Sequence, residues 1–287
     1  MTNLSELGGE FASAGKGVAP VSATPSAGSC FSCRDLSVDF HDGKRATRRI
    51  LDSLDFDIED GEFVSVLGGS GVGKSTLLRV LGGLQAVTPD SVVLHRGQSV
   101  AGPPDRVVTV FQDYAASLLP WRTVARNVTL GIESAPKQER ERRGAEALDM
   151  VGLADRRRAY PRQLSGGMQQ RLQIARALVM QPSALLMDEP FGALDAMTKA
   201  NLQDALLEIH RRTEATTVFV THDIDEAVYL SDRIFVLAGS PAHIALELTV
   251  DLPRPRHQVT TKEHPRYLQL RHRAYEAIGV RTARVAS

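Results

Sequence analysis

Apolar and polar positions along the chain fall into two periods, one near two and one near three and a half. From Phe31 the segment FSCRDLSVDF alternates loosely and meets the turn signal HDGK at 41 to 44. A second strand candidate follows around LDSLDFDIEDGE. Two early strands joined by a turn predict an antiparallel pair. FVSVL at 63 to 67 is apolar almost throughout; glycines come next, and then Leu77, Leu78, Leu81 and Leu84 recur at helical spacing. That order predicts a buried strand, a loop and a helix. A further helix reads from about 138 to 153, with Ala145, Leu148 and Val151 on one side and Glu139, Arg140, Arg142 and Arg143 forming a solvated face. Met168, Leu172, Ala175 and Val179 mark another helix, and Leu202, Ala205, Leu206 and Ile209 the next. ALLM (184 to 187), TTVFV (216 to 220) and RIFVL (233 to 237) read as buried strands. Strands alternating with helices predict an α/β fold, a mainly parallel sheet with helices on both faces.

Composition changes the picture at the two ends. Residues 1 to 30 are dominated by Gly, Ala, Ser and Pro and hold too few bulky apolar side chains to offset the entropy of ordering, so they are expected to form a disordered tail. After DLPRPR at 251 to 256 the chain turns basic: Arg254, Arg256, Lys262, Arg266, Arg271, Arg273, Arg281 and Arg284 stand against Asp251, Glu263 and Glu276. A short helix from Pro265 would bury Tyr267, Leu270, Ala274 and Ile278, making 257 to 287 a basic helical extension of the central unit at 31 to 256.

Charge and length exclude some classes. The 287 residues carry 34 Lys plus Arg against 34 Asp plus Glu, a formal net charge of zero, which argues against a nucleic-acid partner. No stretch approaches the roughly 18 consecutive apolar residues of a membrane-spanning helix. Cys30 and Cys33 are the two cysteines. A single CxxC lacks the second ligand pair of a structural zinc site, and no secretory layout precedes it, so a reducing cytoplasmic setting is expected.

Three segments carry chemistry. In GGSGVGKST, Gly68, Gly69, Ser70, Gly71, Val72 and Gly73 lead into Lys74, Ser75 and Thr76 between a predicted strand and a predicted helix. Such a loop turns backbone N–H groups onto phosphate oxygens at a positive helix end, Lys74 reaches the β and γ phosphates, and the Ser75 hydroxyl ligates Mg²⁺. ALLMDEP puts Asp188 and Glu189 at the carboxyl end of an apolar strand, where α/β sheets bind ligands. Adjacent carboxylates there require a compensating cation. Asp188 would hold Mg²⁺, and Glu189 would orient or deprotonate the water attacking the γ phosphate. In LSGGMQQR, Ser165 is a suitable N-cap and Gly166 and Gly167 leave the first amides uncovered, a second helix start suited to an anion. One chain thus offers two phosphate sites but one lysine and one carboxylate pair, which fits two copies sharing nucleotides across a two-fold axis.

In order and spacing these motifs, with Ala193-Leu194-Asp195 and the His222 of VTHD, resemble the nucleotide-binding subunits of ATP-binding cassette (ABC) proteins over about 31 to 256. The resemblance implies a P-loop NTPase fold with an antiparallel β subdomain and a helical subdomain at about 113 to 180 carrying the signature. It implies ATP and Mg²⁺ as cofactors, with Phe40 stacking on adenine and Gln112 sensing Mg²⁺ and the attacking water. Ser165, Gly166 and Gly167 would bind the γ phosphate held by the opposite subunit, Asp195 would communicate across the dimer, and His222 would contact the γ phosphate. An aromatic at a strand end serves a core as readily as a stacking platform, and both readings stand for Phe40.

SLLPWRTVARNVTLGIE, with the single Trp121, and DLPRPR resemble the importer ATPases serving nitrate, aliphatic sulfonates, taurine and related small solutes. That implies a homodimer of ATPase subunits peripheral to the cytoplasmic face of the inner membrane. It would work with two transmembrane permease subunits and a solute-binding protein, with aliphatic sulfonate the first substrate expected and nitrate or taurine next. Trp121 is a core aromatic or, given Pro120 and Arg122, part of a surface loop that meets the permease. Two other classes are open to test. A non-transport ABC ATPase in DNA repair or translation would carry a long coiled-coil insertion or a second cassette, whereas about 90 residues separate Lys74 from Ser165 without sustained heptads. A P-loop kinase would have no use for LSGGMQQ.

Overall fold

The computed structural model describes residues 28–40, 47–112, 117–192 and 194–279. Ten strands among them form one sheet: β1 (Ser29–Phe40), β2 (Arg48–Glu59), β3 (Phe63–Leu67), β4 (Val92–His95), β5 (Gln98–Ser99), β6 (Val107–Val110), β7 (Ala184–Asp188), β8 (Thr216–Thr221), β9 (Arg233–Gly239) and β10 (Ala242–Thr249). Their order is β5-β4-β1-β2-β10-β9-β3-β8-β7-β6. Strands β9, β3, β8, β7 and β6 run parallel, while β5, β4, β1 and β2 pair antiparallel. The α/β fold with an antiparallel β subdomain is therefore present.

Period-two alternation explains why β3 reads as continuously apolar. Phe63 and Leu67 point into one core and Val64 and Val66 into the other, so both faces are covered. The helix α1 (Lys74–Leu81) packs with Val64, Val66, Leu186, Val218 and the antiparallel strands on one face. On the opposite face lie α2 (Val124–Val128), α3 (Lys137–Met150), α4 (Gly166–Leu178), α5 (Ala196–Thr213), α6 (Ile224–Leu230) and α8 (Pro265–Gly279), with the single-turn α7 (Thr260–Glu263) leading into α8. Buried Asn127 organises the loop before α2: its Nδ2 donates to the carbonyls of Leu119 (3.0 Å) and Arg122 (3.0 Å), and its Oδ1 accepts from the Leu119 amide (2.9 Å). This loop leaves the Trp121 side chain 72% exposed, so the tryptophan is a surface residue.

Several boundaries differ from expectation. Strand β1 begins at Ser29 and buries Cys30, so the tail ends before residue 29; residues 1–27, and the HDGK turn at 41–44, lie outside the described residues. Helix α1 stops before Leu84, which is 51% exposed, because Gly83 turns at φ +65° with a Cβ position 2.0 Å from the Gly102 carbonyl oxygen. In α3 the inward positions are Gly144, Ala147 and Leu148, while Ala145 faces solvent. Strands β4, β5, β6 and β10 were not among the elements expected from the pattern.

The carboxyl-terminal segment forms the expected helix, α8, which buries Tyr267, Leu270 and Ala274 in the same core as Ile234 and Val236, with Ile278 partly buried against it. Most of its basic residues are engaged within the fold. Arg254 pairs with Asp232 (2.6 Å), Arg266 with Asp251 (2.7 Å) and Arg271 with Asp225 (3.7 Å). Arg256 is buried and donates to the carbonyls of Tyr229 (2.7 Å) and Ser231 (2.8 Å), capping the end of α6. Arg281 and Arg284 lie outside the described residues.

Candidate functional site

The carboxyl ends of three neighbouring parallel strands bring the predicted residues together. After β3 the loop 68–73 enters α1 through Gly71 (φ +74°) and Gly73 (φ +117°), left-handed geometries that glycine adopts without strain. A side chain at Gly73 would also start 2.7 Å from Leu51 Cδ2. Lys74 is 5% exposed, and its Nζ donates to the carbonyls of Gly68 (2.9 Å) and Gly69 (3.0 Å) and lies 3.5 Å from Glu189 Oε1. Strand β7 delivers Asp188 opposite Val220 of β8, and the Ser75 hydroxyl donates to Asp188 Oδ1 (3.0 Å). Glu189 turns at φ +43°, its amide donates to the Val220 carbonyl (2.9 Å), and its Oε2 lies 3.0 Å from His222 Nδ1. One glutamate thus sits between the lysine and the histidine.

Burial, reinforced by the neighbouring Glu189 charge, pushes the Asp188 carboxyl above its ordinary value, although the Ser75 hydrogen bond pulls the other way. A half-buried carboxylate and a hydroxyl in contact form the oxygen donor set that Mg²⁺ prefers, with its remaining positions left to water and phosphate. No group of three or more His, Cys, Asp or Glu capable of holding a metal ion occurs among the described residues. Both cysteines are free, and burial raises the Cys30 thiol to about 11.

Beside the loop lies a cleft of about 410 Å³ lined by Phe40, Arg48, Ile50, Gly71, Gly73, Ser75 and Thr76. Phe40, 41% exposed, stands at this cleft rather than in the core, and Arg48 faces it across the β1–β2 ladder. Arg48 had no sequence signal, because only strand pairing brings it there. The sides of Gly69 and Gly71 open onto free space.

Other predicted residues stand further out. Gln112 is exposed just past β6, its Nε2 3.8 Å from where a Gly192 side chain would begin, beside the turn that follows Glu189. Asp195 is the N-cap of α5 and accepts from the Thr198 amide (3.0 Å); hydrogen bonding from the Thr198 side chain and then its amide holds the carboxyl below the ordinary value. Ala193 lies outside the described residues. Ser165 caps α4 by accepting from the Met168 amide (3.4 Å), and Gly167 abuts Thr198, whose Cγ2 lies 2.4 Å from the position of an added Cβ. Among the described residues no hydrogen bond or ion pair joins Ser165, Gly166 or Gly167 to the loop at 68–76. The structure gathers Lys74, Ser75, Asp188, Glu189 and His222 and leaves the second helix start apart.

Two features escaped the sequence reading. Lys199 of α5 contacts Asp223 and Glu226 next to His222. A narrow groove of about 160 Å³ runs between β6 and α4, lined by Phe111, Leu130, Gly131, Gln173, Arg176 and Met180 among others. Phe111 and Met180 are exposed there, and Gln173 Nε2 donates to the Phe111 carbonyl (3.0 Å).

A parallel sheet whose strand ends carry a glycine loop, a buried lysine and adjacent carboxylates defines a P-loop nucleotide-binding cassette. Comparison narrows the class. Residues 51–192 match the sequence profile of the ABC transporter family. The chain is 48% identical over 249 residues to an aliphatic sulfonates import ATP-binding protein of Rhizobium johnstonii, covering 86% of this chain and 90% of that one. It is also 48% identical over 226 residues, 77% of its length, to a bicarbonate transport ATP-binding protein of Synechococcus elongatus, of which it spans only 34%. A solved ATP-binding cassette, dimeric in a post-hydrolysis state bound to ADP and Pi, superposes with a TM-score of 0.65 at 30% identity, covering 77% of this chain and 98% of that one. The chain belongs to the ABC transporter family, among its ATP-binding proteins.

Proposed function

We propose that this chain is the ATP-hydrolysing subunit of an ABC importer for a small solute, aliphatic sulfonates first. The observation that carries the reading is Glu189, held between Lys74 and His222 at the strand ends beside the Ser75–Asp188 pair.

The nucleotide phosphates would take the place that the Gly68 and Gly69 carbonyls hold around the Lys74 ammonium, with the loop amides as further donors. Phe40 would face the base across the adjoining cleft. Ser75 and Asp188 would hold Mg²⁺, which neutralises charge on the β and γ phosphates when bound. Glu189 accepts a proton from, or orients, the attacking water; His222 fixes one glutamate oxygen and faces the γ phosphate. Gln112 would sense Mg²⁺ and the attacking water.

The second helix start supports a dimer. Ser165, Gly166 and Gly167 present amides to an anion but have no lysine or carboxylate pair with them, so each would complete the nucleotide site of a second copy. ATP closes such a dimer only through its higher affinity for the closed state, and the second phosphate contact supplies that difference. The groove lined by Phe111 and Met180, with the exposed Trp121 on the same helical subdomain, offers apolar side chains to a helix of a permease subunit at the cytoplasmic face of the membrane. No helix among the described residues is long and apolar enough to cross a membrane itself. A solute-binding protein would act through the permease.

The sulfonate reading rests on a relative matched over nearly its full length. A bicarbonate substrate is the second reading, favoured by an equally identical but longer relative. Co-purification of the permease and binding protein, and the ligand that protein retains, decides between them. For the catalytic reading, Glu189→Gln should lower turnover about a thousandfold while ATP still binds and an ATP-dependent dimer accumulates in size-exclusion chromatography. Steady hydrolysis at the parent rate would remove Glu189 from its role.

A further inference from the structure

We propose that Lys199 is a positioning residue that ties the placement of His222 to helix α5, the helix capped by Asp195. The inference rests on the reading that His222 serves hydrolysis beside Glu189.

His222 is poorly held by its own packing. Its side chain is 60% exposed, and among the described residues it hydrogen-bonds Glu189 Oε2 at 3.0 Å. Its place is set by the residues on either side, and these form one closed network. Asp223 caps α6 with Oδ1, accepting from the amides of Asp225 (2.9 Å) and Glu226 (3.2 Å). Thr221 Oγ1 accepts from the Asp223 amide (3.0 Å) and donates to Glu226 Oε2 (2.6 Å). The remaining oxygens of both acids turn to Lys199, whose Nζ lies 2.9 Å from Glu226 Oε1 and 3.2 Å from Asp223 Oδ2.

Glu226 is buried, and burial pushes its carboxyl above the ordinary value. A buried carboxylate held by one cation cannot release it without a large penalty, so the contact is stiff. Lys199 sits one turn into α5, four residues past Asp195, while Thr221, Asp223 and Glu226 bracket His222. A displacement at the start of α5 therefore reaches the His222 turn through one side chain. From the other side, the Tyr267 hydroxyl donates to Asp225 Oδ1 (2.8 Å), so α6 has a fixed support against which Lys199 can act.

A purely structural role for Lys199, neutralising Glu226, predicts lower stability with unchanged chemistry in the molecules that remain folded. The two are separated by steady-state ATPase kinetics of the full chain, with nucleotide affinity and thermal midpoint measured alongside. Lys199→Met should lower kcat by about tenfold and leave ATP affinity within about twofold. Lys199→Arg, which keeps the charge, should restore most of kcat. In a His222→Ala background Lys199→Met should have no further effect on kcat, because the residue acts through the histidine. Should Lys199→Met fold poorly, Lys199→Met combined with Glu226→Gln removes the unpaired charge and should show the same kcat loss. A parent-like kcat in Lys199→Met, a parallel loss of affinity, or a full further loss on top of His222→Ala would overturn the proposal. If His222→Ala itself keeps the parent kcat, the reading of His222 falls and this inference with it; a large loss in His222→Ala with none in Lys199→Met overturns the inference alone.

Discussion

Helices α1 and α4 begin alike and are built differently. Both carry glycines at a positive helix end, leading into α1 and opening the first turn of α4, that leave backbone amides uncovered. At α1 the chain passes through the left-handed Gly71 and Gly73, the latter packed against β2, and the first residues include a buried lysine and a serine bonded to Asp188. At α4 an exposed serine does no more than cap its own helix, and the neighbouring contact is Thr198 of α5. In the proposed function the first start serves the catalytic centre, and the second, a cradle without a cation, would complete the site of another copy. The difference teaches that the residues proposed for chemistry gather at the strand ends while the second helix start stands apart from them.

The largest effect should come from separating the two starts. Lys74→Ala removes a charge-assisted contact worth about 2–3 kcal/mol and should weaken ATP binding by some two orders of magnitude in calorimetry. Gly166→Asp places a carboxylate in the second cradle and should abolish turnover while the single chain binds ATP as before. Each variant alone should be nearly inactive, yet mixing them pairs one intact α1 site with one intact α4 start and should recover measurable ATPase activity. Absence of recovery would break the two-copy reading.

A smaller effect tests how strained the α1 side is. Asp188 has a folded pKa raised by burial, so its ionised form weakens the fold, and this loss is complete once pH exceeds the folded pKa. Asp188→Asn keeps an acceptor for Ser75 and removes the charge. At neutral pH it should raise the melting temperature of the nucleotide-free chain by roughly 2 °C while eliminating Mg²⁺-dependent hydrolysis. An unchanged or lower melting temperature would show that the carboxylate is not a burden in the absence of nucleotide.

The smallest effect lies under the sheet. His210 is buried on α5 with Nδ1 3.1 Å from the Ala215 carbonyl and its ring edge-on to Phe63, and burial lowers its pKa. A depressed histidine pKa means the unfolded chain binds the proton more readily. Stability is therefore complete above the unfolded value of about 6.5 and declines as pH falls below it. Urea denaturation between pH 7 and 5 should show this decline, and His210→Asn should flatten it.

How much of the site was legible follows from the range of the forces involved. Lys74, Ser75, Asp188 and Glu189 could be named because each chemistry is tied to a local backbone form: a glycine turn into a helix, or the polar end of an apolar strand. Strand β10 was missed although Ala242, Ile244, Leu246 and Leu248 do alternate; β5 has two residues, too few for any period to register. Ala145 shares helical spacing with the buried Leu148 and Val151 yet faces solvent, and Gly144 meets Thr129 instead. Arg48 and Lys199 gave no signal, since each reaches its partners only through strand pairing or helix packing.

By itself the sequence determined the alternation of strands and helices, the glycine loop that leads into a helix at Lys74, and the placing of two carboxylates where an apolar strand stops. All of these depend on residues a few positions apart. Tertiary structure alone decided that β3, β7 and β8 end side by side, so that Glu189 meets both Lys74 and His222. It also placed Trp121 in solvent and paired Arg254, Arg266 and Arg271 of the basic carboxyl end with Asp232, Asp251 and Asp225 at the surface. Those outcomes depend on contacts between residues far apart in the chain, for which local periodicity carries no information until the sheet has formed.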